Sequence, residues 1–363
     1  MPSSTSNFER PIPPQRWGRM LAFALAWTVL LTAGWEILCR ARGFVPALDD
    51  TPDLWARARE RLDRAPPDQI VLVGSSRMLF DFDIEELHRA IGGPRAIELA
   101  TVGTNELVML EKLAADPHFR GTAIVSFVPG LTFLPAGAAT RIVGRALDRY
   151  EHGSISPRVS ARLYQWLDAR LAFLDGDELT LKKLIEQLEL PQRAGAEAHA
   201  MFLPQVHSVD QERRGRMLRL VETDAVRREQ IEAIWVHPDP PSTEPPAQQA
   251  AQREGLRQEV LWRERAAVTK IRARGGRVIY VRFPSSGGVL AEERIKFPRA
   301  ETWDALLAVT GAPGIHFEDH PELARFECVE WSHLSATDSV EFTRRLIPLL
   351  IPYLPPPDET GRH

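Results

Sequence analysis

The sequence predicts an α/β domain organised around a parallel, doubly wound sheet. Three observations carry that expectation. Short apolar runs of strand length, such as "QIVLV" and "VIYV", are continuous rather than alternating, as strands buried on both faces are. Segments of helical period lie between them, and a strand–helix alternation with short links implies parallel crossovers. Small residues interrupt the chain where these runs stop, at Gly74-Ser75-Ser76 and at Gly103.

Taken in order, residues 1–16 are polar and proline-bearing and read as a disordered cytoplasmic tail. Residues 17–42 read as a transmembrane signal-anchor. Met20 to Leu38 is apolar apart from Glu36, close to the roughly 20 residues that cross a bilayer. Arg10, Arg16 and Arg19 precede it and favour a cytoplasmic N-terminus. Trp17 and Trp35 suit the two interfaces, and the segment lacks a small-x-small cleavage site. The expected topology is single-pass, with the main domain outside the cytoplasm.

The first part of that domain spans 50–134. "DLWARARERLDR" sets Leu54, Ala58 and Leu62 on one helical face. The strand "DQIVLV" ends at Gly-Ser-Ser. Asp83 caps a helix from about Ile84, and Gly92-Gly93 ends it. "RAIELATVG" is a second strand, "TNELVMLEKLAAD" a helix with Leu107, Leu110 and Leu113 inward, and "TAIVSFVPG" a third strand. Residues 135–250 read as a helical insertion, with helical period in "SARLYQWLDARLAFL" and "LTLKKLIEQLEL" and a mobile Pro-rich loop from His237 to Gln252. The second part spans 251–353. It comprises a helix through Ile271, the strand "RVIYVRFP", the short strand "GIHFED" and a last helix with Val340, Thr343, Ile347 and Leu350 inward, kinked or ended by Pro348. Residues 354–363 read as a disordered tail.

Composition excludes some chemistry. Of 363 residues two are cysteines, Cys39 and Cys328, so no cysteine cluster can hold a metal. His88, His118, His207 and His237 lack metal-ligand spacing, and no cofactor is expected. With a net charge of −4 and no long basic run, nucleic acid is a poor partner.

The chemistry-bearing residues lie at two remote places. Ser75 and Ser76 follow the first strand. Glu330 and His333 precede the last helix in "ECVEWSHLS". A carboxylate three residues before a histidine can reach back to orient its ring, and that histidine can deprotonate a serine. In a doubly wound sheet both places can face the carboxyl edge. Each signal has a plain structural reading as well: small residues make turns, and Ser335 with Asp338 is a helix cap. Arg77 and Arg282 fit an anionic or polar substrate group, or pairing with a carboxylate such as Asp81 or Asp304. "RFPSSGG" reads as loop, and Trp303 and Trp331 as core or pocket lining.

The blocks "GSSR", "LATVGTN" and "EWSHLS" resemble those of the SGNH (GDSL-type) hydrolase superfamily, in particular its membrane-anchored bacterial branch with a Gly-Ser-Ser-Arg first block. The resemblance covers roughly 66–130 and 275–351, and leaves out the anchor and the insertion. It implies a three-layer α/β/α, flavodoxin-like fold, with Ser76 as nucleophile, His333 as base, Glu330 at the family's aspartate position and Gly103 as an oxyanion donor. It further implies a bacterial inner-membrane location and esterase or O-acyltransferase activity on acylated, often acetylated, envelope carbohydrate, with a multi-spanning acyl donor enzyme as a partner. Two departures stand out. Glu330 replaces aspartate, and the third block lacks its Gly-x-Asn-Asp asparagine, for which Asn105 is the nearest substitute. That absence favours a rival from another class, a binding or assembly module that keeps the scaffold without the chemistry.

Overall fold

The computed structural model describes residues 16–46, 48–133, 136–153, 155–174, 179, 185, 203–236 and 244–355. The expected N-terminal tail (all but Arg16), most of the "LTLKKLIEQLEL" segment, residues 237–243 and the C-terminal residues from 356 lie outside them.

A five-stranded parallel sheet forms the centre. Its strands are β1 (Ile70–Val73), β2 (Ile97–Glu98), β3 (Thr122–Ser126), β6 (Arg277–Arg282) and β7 (Gly314–His316), ordered β2-β1-β3-β6-β7. A separate antiparallel hairpin pairs β4 (His207–Val209) with β5 (Gly215–Met217). The helices are α1 (Trp17–Ala41), α2 (Pro52–Leu62), α3 (Ser76–Asp81), α4 (Ile84–Ile91), α5 (Leu107–Ala115), α6 (Pro129–Thr132), α7 (Ala136–His152) and α8 (Ile155–Asp168). After the hairpin come α9 (Arg219–Thr223), α10 (Ala225–Trp235), α11 (Pro246–Ala273), α12 (Gly287–Lys296), α13 (Trp303–Thr310), α14 (Pro321–Ala324) and α15 (Ala336–Leu350).

Alternation along the strands builds two cores. Val71, Val73, Ala123, Val125, Val278 and Tyr280 face a layer holding Trp55, Leu62, Leu110, Leu113, Val268, Ile271 and Leu306. Their neighbours Ile70, Leu72, Ile124, Ile279 and Val281 face Met78, Leu87, Phe342 and Leu346. Helices therefore cover both sides, and apart from Arg277 and Gly314 at strand starts the residues of the parallel strands are buried whichever way they point, which is why the runs read as continuous. A third cluster, including Leu48, Leu54, Leu79, Phe80, Val206, Met217, Val221 and Ile231, ties the hairpin and α9–α10 to α2 and α3.

Several expectations need correction. Between Gly-Ser-Ser and Asp83, where no element was expected, the chain forms the helix α3 from Ser76. The insertion is not wholly helical, because it contains the β4–β5 hairpin. Its first helix, α7, packs beside α2 in the main layer, where Arg149 pairs with Asp53 and Tyr150 with Asp63. The stretch from Pro246 to Gln252 is the first part of α11, with proline at the helix start where its missing N–H costs nothing. Pro348 sits inside α15, which continues to Leu350. The inward stripe of α15 runs through Ser339, Phe342, Thr343, Leu346, Ile347 and Leu350, with Val340 only partly buried.

Among the described residues α1 is the helix long and apolar enough to span a membrane. Its last turns touch the rest of the chain: Cys39 is buried, and Glu36 accepts from the amides of Ala172 and Phe173.

Candidate active site

The site is built at the carboxyl edge of the sheet. β1 ends at Gly74, whose φ of +143° is one that only glycine adopts readily. A Cβ there would lie 2.6 Å from Cβ of Ser126, so the backbone of β3 also requires a glycine. The turn delivers Ser75 as the cap of α3 and Ser76 as its first residue.

Ser76 Oγ lies 2.8 Å from Nε2 of His333. On the far side of the ring, Nδ1 faces Oε1 of Glu330 within hydrogen-bond distance. Both partners are buried, Glu330 wholly so. The second carboxylate oxygen, Oε2, accepts from the indole Nε1–H of Trp235 at 2.5 Å and from the amide of Ser332 at 3.2 Å. A serine, an imidazole and a fixed carboxylate thus stand in line, the geometry of nucleophile, base and orienting group. Ser75, by contrast, has a buried Oγ with no hydrogen-bond partner among the described residues.

Helix α3 holds the histidine loop as well as the serine. Nε of Arg77 donates to the carbonyl of Ser332 at 3.2 Å, and Oδ1 of Asp81 accepts from the amide of Leu334 at 2.9 Å. The loop turns at Trp331, a non-glycine residue at φ +70°, and the amide of Val329 closes it on the carbonyl of His333. Burial pushes the Asp81 carboxyl up to about 7.

Behind this loop lies a buried ionic cluster. Glu293 pairs with both Arg77, at 2.9 Å, and Arg282, and accepts from the hydroxyl of Ser285. Burial alone would raise its carboxyl, but the Arg282 and Arg77 charges hold it down at about 2. Burial lowers the Arg282 guanidinium to about 10. The expected partners of Arg77 and Arg282 are thereby corrected to Glu293. Arg282 is bound in this cluster and does not line the cavity beside Ser76, so it is not placed to bind substrate. Ser285 and Ser286 are structural too, since Ser286 Oγ accepts from the amide of Cys328. Trp303 is core, and Trp331 packs on Gly287 and Gly288.

A cavity of about 610 Å³ opens beside Ser76 and His333. The main domain contributes Phe80, Val102, Val128, Leu131 and Phe297 to its walls, and the insertion contributes Leu203, Pro204, Gln205, Val206, His207 and Trp235. Gly103 lines it at φ +68°. The amides of Ser76 and Gly103 have no backbone partner among the described residues, which leaves them available to an oxyanion. Asn105 is buried and does not line the cavity, so it is not placed as the substitute donor.

Sequence reasoning missed Trp235, Gln205 and His207. His207 stacks on Phe80 at 4.2 Å, Phe80 lies 4.7 Å from His333, and burial pushes the His207 imidazole down to about 4. No local pattern marks these three residues. Their role comes from the insertion folding back over α3, a long-range contact.

The chain matched no family model, no curated protein and no solved structure in the three comparisons made with known proteins.

Proposed function

We propose that this chain is a membrane-anchored serine esterase or O-acyltransferase of the SGNH type. The reading is carried by one observation, the 2.8 Å approach of Ser76 Oγ to a histidine whose other nitrogen meets a buried carboxylate. The sheet order supports the flavodoxin-like assignment: numbered among themselves, the parallel strands run 2-1-3-4-5.

In the proposed reaction Ser76 Oγ attacks the ester carbonyl carbon while His333 Nε2 takes the hydroxyl proton. Glu330 stabilises the resulting imidazolium. The Ser76 and Gly103 amides hold the oxyanion. Collapse breaks the ester C–O bond, and His333 returns the proton to the leaving alcohol. Water or a second alcohol then attacks the acyl-serine, with His333 again as base and then acid. The cavity walls are mostly apolar, with Arg77, Glu292, Glu293 and Lys296 also lining them; the apolar part suits an acyl group, and an acylated envelope carbohydrate is the substrate class the resemblance supplies.

The absent third-block asparagine favours the rival, a binding or assembly module without chemistry. Ester hydrolysis by the full chain in detergent or nanodiscs separates the two. The enzyme reading expects turnover that falls by orders of magnitude in Ser76→Ala and in His333→Ala, while Ser75→Ala retains most of it. Turnover indistinguishable between wild type and Ser76→Ala rejects the enzyme reading.

A further inference from the structure

Helix α8 carries an apolar stripe on its outer side. Val159, Leu163 and Trp166, spaced i, i+4, i+7, share one face and are 60%, 59% and 51% exposed. The opposite face holds Gln165, which is buried and accepts from Arg57 of α2. The orientation of α8 is therefore fixed by packing, and the packing turns the apolar stripe outward. A surface helix of a globular protein has the reverse arrangement.

The stripe leads directly to the membrane helix. The short turn Ala172–Leu174 follows α8, and its first two amides donate to Glu36 of α1 at 3.0 and 3.1 Å. Arg40 of α1 donates to the carbonyl of Arg170 at 2.9 Å. Between Met20 and Trp35 α1 has no charged residue, a rise of about 24 Å at 1.5 Å per residue. That is close to the ~30 Å hydrocarbon core. Glu36 therefore marks the level at which α1 leaves the apolar layer, and the end of α8 is hydrogen-bonded at that level. The side chains there are of interfacial type. Arg170 lies 4.4 Å over the ring of Trp166, and Arg162 is exposed beside the stripe.

We propose that α8 is an interfacial helix lying on the bilayer beside α1. Val159, Leu163 and Trp166 enter the boundary between headgroups and acyl chains, and Arg162 and Arg170 stay with the headgroup phosphates. The main domain is thus held to the lipid surface at two places rather than hanging from a single helix.

A spin label tests this on the full chain in phosphatidylcholine nanodiscs. Nitroxides are placed singly at Leu163→Cys, at Leu25→Cys inside α1, and at Trp262→Cys, which is 69% exposed on α11. Cys39 and Cys328 are buried and stay in place. Collisions with dissolved oxygen are compared with collisions with a water-soluble nickel chelate. The proposal expects the Leu163 label to resemble Leu25, with oxygen dominating several-fold, while Trp262 favours the chelate. A Leu163 label that behaves like Trp262 while Leu25 stays lipid-like overturns it, and so does one shielded from both reagents, which indicates a protein covering the stripe. A chelate-accessible Leu25 label removes the membrane premise and the proposal with it.

Discussion

Trp235→Phe tests whether the insertion helps position the proposed catalytic groups. The substitution keeps a large apolar ring at the end of α10 and deletes only the N–H that Glu330 Oε2 accepts. Glu330 is fully buried, so water cannot replace that donor, and Oε2 retains only the longer 3.2 Å bond from Ser332. A hydrogen bond to a charged group is worth about 1.5–3 kcal/mol. If that energy holds the carboxylate in line with His333, its loss lowers kcat by roughly 10- to 150-fold. The assay is steady-state hydrolysis of a chromogenic acyl ester, with the thermal midpoint of the same preparation measured alongside. The expected result is a fall in kcat with KM changed by less than about threefold and little change in the midpoint. Unchanged kcat refutes the reasoning. So does a fall that only tracks unfolding, because the indole would then be merely structural.

Three other outcomes follow from the same geometry. Glu293→Gln leaves the buried guanidiniums of Arg77 and Arg282 without their shared anion, and breaking a buried pair of this kind costs about 3–5 kcal/mol; a loss under about 1 kcal/mol in urea denaturation contradicts that account. Asp81 is protonated in the folded state up to about pH 7 but ionises near 4 when unfolded, so its contribution is full below pH 4 and is lost as pH rises through 7. Asp81→Asn should therefore gain on wild type by about 2.5 kcal/mol between pH 5 and 8 in paired urea titrations, and a gap that does not change with pH contradicts the assignment. Gln205 lines the cavity from the insertion side, so it tests whether a side-chain amide there stands in for the missing third-block donor. If it does, Gln205→Leu should lower kcat about 10²- to 10³-fold; activity within twofold of wild type contradicts that role.

The sheet was legible because burial on both faces writes a continuous apolar run, and each of the five parallel strands overlaps a segment read as strand. The two ends of the proposed triad were legible for a different reason. Ser76 and the Glu330–His333 pair are each local motifs beside a turn, and a doubly wound topology brings such turns to one edge. Helix α3 was missed because its six residues are too few to display a period and "MLF" reads as easily as strand. Arg282 was misjudged because sequence places it at the right edge but cannot reveal Glu293, eleven residues on, folding back beneath it. The lining from Leu203 to His207 and Trp235 depends on the contacts of Phe80 with the hairpin, which no spacing in the chain encodes.

The central claim is that the Ser76 hydroxyl is activated by His333, and covalent capture measures it most directly. The full chain is treated with a fluorophosphonate, and the modified peptide is located by mass spectrometry. The account predicts a single adduct on Ser76, absent in Ser76→Ala and strongly slowed in His333→Ala. An adduct on Ser75, or labelling that persists undiminished in Ser76→Ala, contradicts it.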